Sequence, residues 1–92
     1  MIVRILGEGQ LKLNDAAASD LQALDAELEA AVEHDDQAAL NKALEALLER
    51  ARGHGEPLPP DSLEPSDVII PHEGATVAEV RKLLTDEGLI PG

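Results

Sequence analysis

Two apolar stripes at helical spacing do most to limit what this chain can fold into. Leu21, Leu24, Leu28, Ala31 and Val32 form one, and Leu40, Ala43, Leu44, Leu47, Leu48 and Ala51 form the other. Recurrence at three and four residues puts each set on one side of a helix. His34-Asp35-Asp36 interrupts the pattern, and Asp35 or Asp36 is suited to cap the second helix. Asn14 and Asp15 offer a start for the first helix, and Ser19 with Gln22 offers a second capping box slightly later. Gly53-His54-Gly55, followed by Pro57, stops the second. Helices joined by so short a link lie antiparallel. Ala23, Ala30, Ala31, Ala39, Ala43 and Ala46 let them approach closely.

Ahead of this pair, Met1–Leu6 and Gln10–Leu13 each alternate in the manner of a strand. Met1, Val3 and Ile5 face one way, and Ile2, Arg4 and Leu6 the other. Gly7-Glu8-Gly9 between the runs reads as a hairpin turn, with Gly7 and Gly9 as its structural residues and Gly9 expected at positive φ. The alternative is a phosphate cradle. That needs backbone N–H groups gathered at the start of a helix after a strand. Here a second strand follows, no Lys-Ser/Thr pair comes after, and Glu8 would sit against the phosphates.

Residues 55–75 hold five of the six prolines. Val68-Ile69-Ile70, bounded by Asp67 and Pro71, reads as a short buried strand within this stretch. It is expected to pair with the first strand and complete a three-stranded sheet, with Leu58 and Leu63 pinning the loop to the helices. Thr76 and Glu79 form a capping box. Val77, Val80, Leu83 and Leu84 give the third helix its apolar face. Gly88 is expected to cap its end, with Leu89 folding back onto the last turn. The expected architecture is α+β: a small three-stranded sheet, made of the N-terminal hairpin and a short later strand, packed with an antiparallel helical hairpin and a C-terminal helix. It forms one domain over residues 1–92.

Composition narrows the function classes. The chain of 92 residues has no Phe, Tyr, Trp or Cys. Aromatic base stacking, disulfides and thiolate chemistry are therefore excluded. Net charge is −12, with −8 in residues 15–36 and −5 in residues 55–75. Such a chain repels nucleic acid and anionic headgroups and favours a basic partner surface, unless the charge serves only solubility. No apolar run approaches the roughly 20 residues that span a bilayer, and MIVRILGEG is too short for a signal sequence. A cytoplasmic protein is expected, with no direct membrane insertion.

Candidate chemistry is sparse. His34, His54 and His72 are far apart in sequence, each beside an acid at an element end or in a loop. His54 and His72, with Glu56 or Glu73, could form a metal site if the loop doubles back, but nothing in the spacing fixes the geometry a metal requires. Ser19, Ser62 and Ser66 sit in no nucleophile elbow or triad pattern. Asp35-Asp36 is accounted for by capping. No catalytic residue, cofactor or metal is implied, and a non-enzymatic protein is expected. The acidic first helix is the feature suited to function, since its outer face lacks the Lys partners that relieve such charge. Asp25, Glu29, Glu33 and Asp36 are the candidate partner contacts.

The start MIVRILGEGQ, the middle EPLPPDSLEPSDVIIP and the end ATVAEVRKLLTDEGLIPG resemble the PspAA family, small proteins associated with phage shock protein A. The resemblance runs from Met1 to Gly92. It implies an accessory protein of a phage-shock-type envelope stress response. The implied partner is a PspA-type coiled-coil protein, which would bring the chain peripherally to the inner membrane. It brings no established catalytic residues. A self-associating structural domain, forming a homodimer through its sheet edge or helical hairpin, is the competing reading.

Overall fold

The computed structural model describes residues 1–84. Its elements are β1 (Ile2–Ile5), β2 (Gly9–Lys12), α1 (Asp15–Glu33), α2 (Gln37–His54), β3 (Glu56–Pro57), β4 (Val68–Ile70) and α3 (Val77–Leu83). The class is α+β, as expected. The sheet has four strands rather than three, in the order β3-β2-β1-β4.

β1 and β2 form the antiparallel hairpin, with Ile5 opposite Gly9. The Glu8 N–H donates to the Ile5 carbonyl at 2.9 Å, closing a turn with Gly7 third, at φ +86°. Positive φ at that position is the type II arrangement. Gly9 follows at φ +112°, so both turn glycines use the left-handed side. β4 pairs parallel to β1, Arg4 opposite Ile69. The added strand is β3, in which Glu56 and Pro57 pair with Lys12 and Leu11. Pro57 has no N–H to donate, which fits a proline only at a sheet edge.

Val3, Ile5, Val68 and Ile70 point to one face and join the core with the stripes of α1 and α2. Every residue of the expected α2 stripe is buried. On α1, Leu24 is half-buried and Ala17 extends the stripe toward the N-terminus. Asn14 caps α1, its side chain accepting the Ala17 N–H at 2.9 Å, so Ser19 lies inside the helix. The link between helices is a Schellman motif. The Asp36 N–H donates to the Ala31 carbonyl and the Asp35 N–H to that of Val32, with Asp35 at φ +52°. Asp36 then caps α2, accepting the Ala39 N–H at 3.1 Å.

α2 runs through Gly53 and ends at His54, with Gly55 as its cap. Gly55 is needed for space, since a Cβ there would lie 2.7 Å from the Ala51 carbonyl oxygen and 2.8 Å from Leu11 Cβ. The chain can drop from the helix onto β2 only because that atom is missing.

Leu63 does not pin the loop to the helices: it is 97% exposed. The loop is held instead by polar bonds to the other face of the sheet. Gln10 Nε2 donates to the Glu64 carbonyl at 2.9 Å and to Ser66 Oγ at 2.8 Å, and Arg4 Nε donates to Ser66 Oγ at 3.3 Å. Asp67 exchanges two bonds of 2.8 Å with the Ile2 backbone. Leu58 is half-buried, its N–H donating to the Gln10 carbonyl.

The Thr76–Glu79 capping box is present in full. α3 ends at Leu83, because Leu84 is already extended. This is short of Gly88, which with Leu89 lies outside the described residues. Arg81 closes the arrangement by donating to the Val32 carbonyl at 3.0 Å.

Candidate functional site

The acidic surface of α1 was the candidate interface, and the structure divides its residues. Asp25 is 4% exposed and faces inward, so it is no surface contact. The reason is periodicity: it stands four residues after Leu21 and three before Leu28, on the apolar stripe itself. Among the described residues no buried side-chain polar atom lacks a hydrogen-bond partner, so the Asp25 carboxylate is satisfied within the fold. Asp36 is exposed but serves as the cap of α2. Glu29 is half-buried and Glu33 exposed, and exposed Glu27 joins them on α1. Asp20 is bridged to Arg50 at 3.2 Å, and Asp35 stands 3.8 Å from Arg81. The acids of α1 not used in these ways are Asp15, Glu27, Glu29 and Glu33, of which Glu29 and Glu33 share one side of the helix while Glu27 lies on another.

The hairpin tip is tied to the end of α2. Arg52 grips Glu8 through two donors, Nε to Oε1 at 2.9 Å and a terminal nitrogen to Oε2. That hydrogen-bonded pair holds the Glu8 carboxyl below its usual range and the guanidinium above its own. A partly open cleft of about 400 Å³ lies beside this pair, walled by Leu11, Leu58 and three prolines, with Arg4 and Arg52 in its lining. Glu8 is thus a structural link at the turn, and nothing about Gly7 or Gly9 makes a phosphate cradle.

The histidines occupy separate places. His54 ends α2 and is exposed. His72 Nδ1 lies 2.9 Å from the Glu73 carbonyl and Nε2 lies 3.4 Å from Glu79 Oε2. The Glu73 carbonyl, and then Glu79, raise the His72 pKa. Among the described residues no three His, Asp or Glu side chains converge as a metal would need. The hydroxyls of Ser62 and Ser66 are engaged in shaping the loop.

The sequence reading set Ile2, Arg4 and Leu6 on the outer face of the sheet but missed the exposure of Ile69 and Leu63. Leu6, Ile69 and Leu63 are the exposed large apolar side chains among the described residues. For Ile69 the signal was present: alternation in a three-residue strand with Val68 and Ile70 inward must turn it outward.

No described helix is long and apolar enough to cross a membrane. No curated protein and no solved structure gives a match to this chain. A family model does: PspAA, PspA-Associated protein, matches residues 1–92. The resemblance carried by the two ends and the proline-rich middle is thereby shown over the whole chain, and the protein belongs to the PspAA family.

Proposed function

We propose that this protein is a non-enzymatic accessory factor that binds a PspA-type coiled-coil protein and modulates its assembly or its engagement with the membrane. The observation that carries the reading is the full-length match to a family described as PspA-associated. The acidic surface of α1 supports it. Residues 15–36 carry eight acids and no Lys or Arg, and Glu27, Glu29 and Glu33 remain on that helix after the internal uses of Asp25 and Asp36. A basic helical partner would be drawn to this charge, most directly to the side that carries Glu29 and Glu33, and the wrong partners filtered by it.

The test is binding to a PspA-type protein from the same organism at low and high salt. Attraction between exposed charges is screened beyond about 10 Å at 0.1 M salt. Binding should weaken steeply with salt, and the triple variant Glu27→Gln, Glu29→Gln, Glu33→Gln should lose most of that dependence. Salt-independent binding would remove the electrostatic part of the proposal, and absence of binding by the folded protein would remove the whole.

A further inference from the structure

The cleft beside the Arg52–Glu8 pair has no part in the proposed function. Its volume of about 400 Å³ falls in the range that holds small organic ligands. One wall is stiff for a covalent reason. Pro57, Pro59 and Pro60 line it, and proline has a fixed φ and no N–H. Leu58 stands among them, fastened by its N–H to the Gln10 carbonyl at 3.0 Å. Leu11 adds to the apolar lining.

Charge sets this cleft apart. The chain has four arginines, Arg4, Arg50, Arg52 and Arg81. Arg50 reaches Asp20, Arg52 reaches Glu8, and Arg81 stands 3.8 Å from Asp35. Arg4 pairs with no carboxylate among the described residues, although the chain has 19 acids. Its one protein partner there is Ser66 Oγ, 3.3 Å from Nε. The donors on its terminal nitrogens are therefore unspent within the protein. Arg52 is already neutralised by Glu8. The two guanidiniums and one carboxylate in the lining leave a single net positive charge, held by Arg4 beside an apolar wall.

That balance selects the ligand. One guanidinium with its terminal nitrogens free matches one carboxylate. The apolar wall favours a carboxylate that carries a hydrocarbon body. A dianion would find no second free cation, and a polyanion would meet a chain of net charge −12.

We infer that the cleft binds small organic monocarboxylates, with the carboxylate on Arg4 and the apolar body against Leu11, Leu58 and the prolines. The site is separate from the acidic surface of α1 and does not depend on the identity of the protein partner.

The experiment titrates the full chain with hexanoate, and with hexanol as a neutral counterpart of the same length, and follows the backbone amide resonances. Hexanoate should give saturable shifts at Gln10, Leu11 and Leu58, and hexanol should bind there much more weakly. Arg4→Gln should weaken hexanoate binding roughly fivefold and change that of hexanol little. Glu8→Gln releases Arg52 within the lining and should tighten hexanoate binding, a gain that a damaged fold would not produce. The inference is overturned by the absence of saturable shifts at these residues in wild type, or by equal binding of hexanoate and hexanol. Hexanoate affinity unchanged in Arg4→Gln, or lowered in Glu8→Gln, overturns it as well.

Discussion

Between Asn14 and His54 the protein is held by apolar side chains, whereas from Gly55 to Leu84 much of the holding is done by polar side chains bonded to backbone. The first region contributes a stripe on each helix to the core, interrupted on α1 by the buried Asp25. The second contributes Val68, Ile70, Ala75, Val77 and Val80 but depends on reach from elsewhere. Gln10 and Arg4 hold the loop, Gln37 holds the entry to α3, and Arg81 returns from α3 to the end of α1. Burial acts over a whole face and is lost all together, while a clamp of one or two bonds can open alone. The two regions should therefore respond differently to damage.

The largest expected effect belongs to the helical hairpin. Leu47 is fully buried in the middle of α2. Leu47→Ala should cost about 2–5 kcal/mol, the range for removing a core leucine. Urea denaturation should show this as one transition moved to lower denaturant, with both regions unfolding together. A loss below about 1 kcal/mol would mean the stripe is not the protein's main support.

A smaller and more local effect belongs to Gln37. Its amide donates to the Ala75 carbonyl at 3.1 Å and accepts the Val77 N–H at 3.0 Å, fastening the start of α3 to the start of α2. Gln37→Ala leaves both backbone groups without that partner and should cost about 1–3 kcal/mol. Amide exchange should quicken over residues 75–84 and change little over Leu40–Ala51. Equal quickening in both segments would erase the distinction between the regions.

The same contrast explains what could be read without the structure. Helical spacing sums over many residues, so the hairpin and its stripe were legible, as were the turn at Gly7-Glu8-Gly9 and the pairing of β4 with β1. β3 was not, because two residues carry no period and one is a proline. Leu63 was misplaced because apolarity alone suggests burial, and the bonds that fix its loop come from residues more than 50 positions away. Asp25 is the instructive case. Its charge suggested the surface, but its position in the Leu21–Leu28 repeat already put it inside. For the candidate interface, position in the repeat was the better guide than charge.

The smallest expected effect is a pH dependence at the clamp of α3. The Glu73 carbonyl and the Glu79 carboxylate raise the His72 pKa. Its contribution to stability is then fully present below the ordinary histidine value of about 6.5 and is lost as pH rises through the raised folded value. Glu79 runs the other way. Hydrogen bonds from Thr76, and then His72, hold it below 4.5. Its contribution is present above that value and is lost as pH falls through the lowered one. Between about pH 4.5 and 6.5 both are in place. The melting temperature should therefore decline from pH 6 to pH 8 in wild type by more than in His72→Gln. The difference between the two profiles isolates His72 from the other histidines. Since both side chains are about half exposed, water screens the pair, and the difference should be well below the effect of Gln37→Ala. Parallel profiles would show that Gln37 and the capping box hold α3 without help from His72. A divergence, with quicker exchange over residues 75–84 at pH 8, would add a bond that titrates near neutral pH to the clamp of α3.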